Sequence, residues 1–261
     1  MSVNTFLTNL ASELVLTTEE KESILKSILT LEVGLVLCFG SDIKESFQFG
    51  SSMRGTILPR KADMNSDIDL MVVFDTSKAL LKPQTYLNKL RDFVKSKYKR
   101  SEIYQSSPTI VLELNHIKFE LVPAIDNYGY QIPSPANDYS DWMSTDSDSH
   151  NKLIQYRNKE ENYLIKPLIR LIKYWNAQQN YPYITFSLEK YILNKSYFLC
   201  SNQKDYFYHF WDNLSYNYDT AQYIKDKVDR AKRIVNKARE YEKANNTFSA
   251  ELEIKKMVPE L

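Results

Sequence analysis

Gly50-Ser51-Ser52-Met53-Arg54-Gly55-Thr56 is followed, after a short spacer, by Ser66-Asp67-Ile68-Asp69-Leu70-Met71-Val72-Val73-Phe74. The second stretch reads as a strand, because its residues alternate and then run into a β-branched, aromatic end. Alternation puts Asp67 and Asp69 on one face, roughly 7 Å apart along the backbone. Ile68, Leu70 and Val72 take the other face, toward a core. Two carboxylates fixed side by side serve no packing purpose, but they suit a pair of magnesium ions, which prefer oxygen ligands. The strand before them, residues 44–49, ends at the Gly50-Ser51 turn.

Residues 5–16 and 19–40 read as helices, and Thr17 with Glu20 has the spacing of a capping box for the second. A helix over 84–99 starts just after Pro83. Two further strands, 109–114 and 117–123, are separated only by Asn115 and His116, which predicts a hairpin. Residues 126–151, rich in Pro, Ser, Asp, Asn and Tyr, show no sustained period and read as one long loop. Everything after it reads as helical, at 152–178, 186–200, 203–213 and 220–245. In the last of these, Ile224, Val228, Ala231, Val235 and Ala238 form an apolar stripe, and the Lys and Arg of its other faces read as solvated. The expectation is an α+β chain with a mixed α/β half over 1–150 and an all-helical half over 151–261.

The bulk numbers narrow the classes of function. A chain of 261 residues, 43% hydrophobic and 26% charged, can bury a sizeable core in one domain or two. No apolar run approaches the roughly 20 residues of a membrane span, and residues 1–5 lack the basic start of a signal peptide. The expected setting is cytoplasmic, with no membrane partner. Cys38 and Cys200 read as free thiols, and the lack of a CxxC pair argues against a zinc site. A formal net charge of +1 argues against coating by long nucleic acid. His116, His150 and His209 read as structural.

A third carboxylate is needed if two metals bind. In Ile117-Lys118-Phe119-Glu120-Leu121-Val122 the apolar residues alternate with Lys118 and Glu120, so Glu120 leaves the core face and can join Asp67 and Asp69. Two Mg2+ ions (or Mn2+) about 3.5–4 Å apart would stabilise both oxygens of an in-line phosphoryl displacement. Asp67 and Asp69 would bind both ions. Glu120 would bind the one that activates the incoming hydroxyl, and could accept its proton. Gly50 and Ser51 would hold β- and γ-phosphates through backbone N–H groups and a hydroxyl, with Arg54 adding charge nearby. In the helical half, Lys166, Arg170 and Lys173 fall at i, i+4 and i+7 and form one basic stripe suited to a phosphate.

These motifs resemble those of the polymerase-β-like nucleotidyltransferases, and most closely the CD-NTases, bacterial relatives of cyclic GMP-AMP synthase and the oligoadenylate synthetases. The resemblance rests on residues 50–56, on 66–70, and on Phe119-Glu120-Leu121-Val122-Pro123-Ala124. It continues through Leu168-Ile169-Arg170-Leu171-Ile172-Lys173-Tyr174-Trp175-Asn176 and Thr185-Phe186-Ser187-Leu188-Glu189. It implies a polymerase-β-like core followed by a helical domain, with the active site in the cleft between them. It further implies that Lys173 reaches the triphosphate, that Thr185 helps to hold it, and that Phe186 stacks on a base. The implied activity joins nucleoside triphosphates, ATP among them, into a cyclic or short linear messenger that switches on a separate effector in antiphage signalling. Glu120 departs from the aspartate more common at the third position. No Cys/His cluster suggests the zinc ribbon with which the animal enzyme senses DNA, which argues against direct activation by DNA. Two alternatives stay open: an enzyme of this fold that modifies a tRNA, protein or small-molecule acceptor, and a silent nucleotide-binding regulator.

Overall fold

The computed structural model describes residues 1–106, 108–135 and 141–261. The chain forms two compact units. One comprises Thr17–Arg60 and Asn65–Asn151; the other comprises Met1–Leu16, Lys61–Met64 and Lys152–Leu261.

The chain begins with α1 (Val3–Glu13) and α2 (Thr18–Phe39). The capping box at the start of α2 forms as expected: Glu20 N–H donates to Thr17 Oγ1 at 3.2 Å, and Thr17 N–H donates to Glu20 Oε2 at 2.8 Å. Thr17 lies on the surface, where its hydroxyl also bonds the Glu19 side chain, and Thr17→Ala is expected to cost about 1 kcal/mol. In a chain of this size that lowers Tm by about 2–4 °C. An unchanged melting curve would show that the bond adds nothing over solvent.

After α2 the α/β unit builds a mixed sheet of β1 (Ile43–Phe49), β2 (Asp67–Phe74), β3 (Ile103–Ser106), β4 (Thr109–Glu113), β5 (Lys118–Asp126), β6 (Tyr130–Pro133) and β7 (Trp142–Ser144). The strand order is β1-β2-β5-β4-β3, with β6 paired to the end of β5 and β7 paired to β6. Among the described residues only β2 and β5 run parallel; the remaining pairs are antiparallel, including the expected β4–β5 hairpin. The helix α4 (Pro83–Lys97) opens with its proline at the first turn, where a missing N–H costs nothing. It buries Tyr86, Leu87, Leu90, Phe93 and Val94 against β3, β4 and β5.

Several expectations for this unit need correction. The Gly50-Ser51 turn is the first turn of a short helix, α3 (Gly50–Arg54), entered through a left-handed Gly50 with φ +69°. The reading of 126–151 as one loop fails because β6 and β7 lie within it; residues 136–140 fall outside the described residues. β3 was not anticipated either. Strands of three or four residues are too short to show a period. The helical segment Val3–Asp42 also contains an 18-residue window of mean hydropathy 1.7, only 28% buried, which meets the length and composition test for a membrane span. The expectation that no apolar run comes close was therefore too strict. In α2 this surplus shows as exposed Leu25, Leu29, Val33, Val36 and Leu37.

The helical unit holds α5 (Ser147–Glu160, which starts in the last residues of the α/β unit), α6 (Ile165–Gln178), α7 (Thr185–Leu193), α8 (Gln203–Asn213), α9 (Gln222–Lys243) and α10 (Thr247–Lys255). Its core is aromatic: Trp175 meets Trp211 edge-on at 4.6 Å, and Tyr197 stacks on Tyr206 at 4.6 Å. Tyr174, Tyr197, Tyr206 and Tyr208 are thus packing residues of this unit. The stripe of α9 buries Val228, Ala231, Val235 and Ala238, together with Ile234, and leaves Ile224 half-buried. Helix α1 belongs to this unit, because Val3, Phe6, Leu7, Leu10 and Ala11 bury its apolar face where α6, α8 and α10 pack. The expected helix over 152–178 is two helices, divided where Asn162 and Tyr163 take left-handed φ of 50° and 64°. The expected 186–200 helix stops at Leu193. α10 was missed, although Asn246, whose side chain accepts from Ser249 N–H, is a legible cap. Both cysteines are free thiols.

Candidate active site

Asp67 and Asp69 open β2, and Lys118 and Glu120 open β5. The parallel register sets Asp67 beside Lys118 and Asp69 beside Glu120. All four project from one face, because their neighbours Ile68, Leu70, Phe119 and Leu121 are buried on the other. Further along the charged face, the surface becomes an apolar cluster of Met71, Val73, Val122 and Ala124 with Phe47 and Phe49 packed against it. The carboxylates thus sit at the polar edge of a solid core.

Gly50 closes one side of this edge. Its φ of +69° favours glycine, and a Cβ placed on it would lie 1.8 Å from Asp69 Oδ2 and 2.6 Å from its Cγ. The carboxylate of Asp69 therefore rests against the bare backbone at the start of α3. Ser51 is half-buried next to it in the chain. Arg54, at the other end of α3, is buried, with 9% of its surface exposed. His116 bonds through Nε2 to Ser27 Oγ at 3.0 Å on the surface.

The third carboxylate arrives as expected, but with a companion. Lys118 Nζ stands 3.2 Å from Asp67 Oδ2 and 3.1 Å from Glu120 Oε1. Burial works against its charge, yet Asp67 and Glu120 outweigh burial and hold the ammonium above the ordinary lysine range. Burial, then Asp67, pushes the Glu120 carboxyl up against the pull of Lys118. Among the described residues no three His, Cys, Asp or Glu side chains are gathered as a metal-holding group. The pair Asp67 and Glu120 nevertheless converges on one cation, and the donor set is all carboxylate oxygen, which fits Mg2+ or Mn2+ chemically. Lys118 escaped attention in the sequence, although its position two residues before Glu120 already placed it on the same face.

The remaining expected site residues lie in the helical unit. Lys173, on α6, is buried and pairs with Glu189 of α7 at 3.8 Å; Glu189 is fully buried. Its companions in the expected basic stripe have other partners. Lys166 Nζ donates to Gln155 Oε1 at 2.9 Å, and Arg170 Nε donates to the Ala11 carbonyl of α1 at 3.2 Å. Burial brings Arg170 down to about 10. Thr185 is the half-buried first residue of α7. Phe186 is 42% exposed, with Lys190 Nζ 4.7 Å from its ring centre, so it is a surface aromatic and not a core residue.

Two aspartates on one strand and a glutamate on its parallel neighbour, beside a glycine-started helix, form the arrangement that the sequence motifs led one to expect. The chain belongs to the Second Messenger Oligonucleotide or Dinucleotide Synthetase domain family, whose model matches residues 1–158. It is 28% identical over 190 residues to a probable cyclic nucleotide synthase of Bacillus cereus (strain VD146), a match covering 58% of this chain and 55% of that protein. The chain thus aligns with about half the length of that curated relative. Its fold is similar to that of the Vibrio cholerae DncV cyclic AMP-GMP synthase, with a TM-score of 0.75, 12% identity, and coverage of 95% of this chain and 92% of that one. It is also similar to E. coli MS115-1 CdnC, solved with ATP, with a TM-score of 0.70, 15% identity, and coverage of 99% and 98%. At such identities the likeness concerns the fold.

Proposed function

We propose that this chain is a cytoplasmic, metal-dependent synthase that joins nucleoside triphosphates, ATP among them, into a cyclic or short linear oligonucleotide, with release of pyrophosphate. The observation that supports it best is the parallel register that puts Asp69 beside Glu120, with Asp67 one step away on the same face. In the reaction, a ribose hydroxyl oxygen attacks the α-phosphorus of a second triphosphate. The bond from that phosphorus to the bridging oxygen breaks, and the electron pair leaves on pyrophosphate. Asp67 and Asp69 would hold two divalent cations, Mg2+ or Mn2+, which when bound would neutralise the charge that develops in the displacement. Glu120 would share in holding the cation on the hydroxyl side, and its carboxylate accepts the proton of the attacking hydroxyl.

Gly50 and Ser51 carry the β- and γ-phosphates through N–H groups and the serine hydroxyl, and Arg54 adds positive charge behind them. Lys173 contacts the triphosphate, Thr185 supplies a hydroxyl to it, and Phe186, already exposed, stacks on a base. A product of this kind would switch on a separate effector, in antiphage defence. The relative named a probable cyclic nucleotide synthase and the DncV structure with the linear intermediate pppA(3',5')pG support this direction.

The test is incubation of the purified chain with each α-labelled triphosphate, and with all four, in Mg2+ and in Mn2+. Asp67→Ala/Asp69→Ala is run in parallel. The expected result is a small phosphatase-resistant product that disappears in the double variant. Label appearing only on an added tRNA, protein or small molecule would replace this reading with acceptor modification. Triphosphate binding without turnover in either metal would replace it with a silent regulator.

A further inference from the structure

Three side chains close an ionic triangle at the start of the parallel pair. Asp67, Lys118 and Glu120 keep only 29%, 12% and 22% of their side-chain surface in contact with solvent. The ammonium, 3.1–3.2 Å from both carboxylates, stands at the point from which the two would jointly hold a divalent cation. Ligand distances for Mg2+ are about 2.0–2.1 Å, so the two cations exclude each other by both space and charge. The Asp69 carboxylate rests against Gly50. The ammonium competes at the position shared by Asp67 and Glu120. Lysine suits such a role because its four-carbon stem lets a compact charge withdraw, whereas a guanidinium fork stays in place.

We propose that Lys118 is a built-in competitor for the divalent cation on the hydroxyl-activating side of the site. It holds Asp67 and Glu120 together in the metal-free protein and withdraws as the cation enters, so that this position fills last. This inference rests on the metal-dependent reading given above. It gives the chain a means of tying activity to the concentration of free divalent cation, set by one residue that is not itself a ligand.

The test is titration with Mn2+ alone, without nucleotide, following the free ion by its paramagnetic resonance signal. The wild type, Lys118→Met, Lys118→Arg and Lys118→Met/Glu120→Gln are compared, each melted with and without Mn2+. Lys118→Met is expected to bind Mn2+ about tenfold or more tightly, given the size of a unit-charge interaction at this distance. The gain disappears in the double variant, and Lys118→Arg binds no better than the wild type. Lys118→Met also melts lower than the wild type without Mn2+ and gains more on its addition. Lys118→Gln makes the same comparison if the methionine variant yields little folded protein. Equal Mn2+ affinity in the wild type and both uncharged variants overturns the role of Lys118 while leaving the proposed function standing. An equal loss of Tm with and without Mn2+ does the same, since that is the mark of a purely structural ion pair. No Mn2+ binding by any chain overturns both.

Discussion

Gly50→Ala is expected to lower turnover by about a hundredfold or more, from a chain that still folds. Two effects meet at this position and separate cleanly. The first is conformational: a φ of +69° is adopted readily by glycine and costs an L-residue about 1–2 kcal/mol. The second is positional. The added methyl would lie 1.8 Å from Asp69 Oδ2, and since that atom is the end of a side chain, the carboxylate gives way rather than the backbone. A shift of about 1 Å in a group that must hold a cation against a triphosphate is worth on the order of a hundredfold in rate. Gly40→Ala is the control, because Gly40 has a similar φ of +53° but nothing within 4 Å of the added methyl. It should show at least as large a loss of Tm with turnover unchanged, because a ψ of −123° puts Gly40 outside the left-handed well open to other residues. If Gly50→Ala turns over within twofold of wild type in the α-labelled triphosphate assay, the contact between Gly50 and Asp69 has no part in the chemistry.

The same two residues show how much was legible in the sequence. Alternation alone placed Asp67, Asp69 and Glu120 on the solvent-facing side of their strands, because a residue's face follows from its parity once the buried positions are known. It could not give the register between β2 and β5, which depends on non-local pairing, nor the left-handed Gly50, since a glycine-serine pair suits many turns. Lys118 was visible as a letter but not as a partner. A lysine two residues from a carboxylate on a strand is as often solvated as bonded, and only the register with Asp67 decides between the two. In the helical half, the long apolar stripe of α9 was plain because a 22-residue helix repeats its period several times. β3, β6, β7 and the break at Asn162 went unseen because each is shorter than one clear repeat. The grouping of α1 with the helical unit likewise depends on which surface covers its apolar face, and periodicity does not name that surface.

The basic residues of α6 bear on the second large effect. At sequence level Lys166, Arg170 and Lys173 form one stripe, yet in the fold they meet different groups, and Lys173 stands 3.8 Å from a fully buried carboxylate, Glu189. Side-chain exposures of 9% and 1% mean that neither charge is well solvated. Removing one partner takes a counter-charge from the other in a poorly solvated setting, which costs about 3–5 kcal/mol when a buried pair is broken, whereas replacing both with apolar groups of similar volume is often neutral. Glu189→Gln is therefore expected to lower Tm by about 10 °C, at about 2–4 °C per kcal/mol for a chain of this size. Lys173→Met/Glu189→Leu should recover most of that loss, and the difference measures the coupling. The double variant also isolates the second duty proposed for Lys173. With the fold restored and the ammonium gone, binding of triphosphate should weaken by tenfold or more in equilibrium titration, since a charge-assisted contact to phosphate contributes about 1.5–3 kcal/mol. A double variant that is stable and binds triphosphate as tightly as the wild type would make Lys173 a structural partner of Glu189 alone. A Glu189→Gln chain that melts within 2 °C of the wild type would show that the pair is better hydrated than its burial implies.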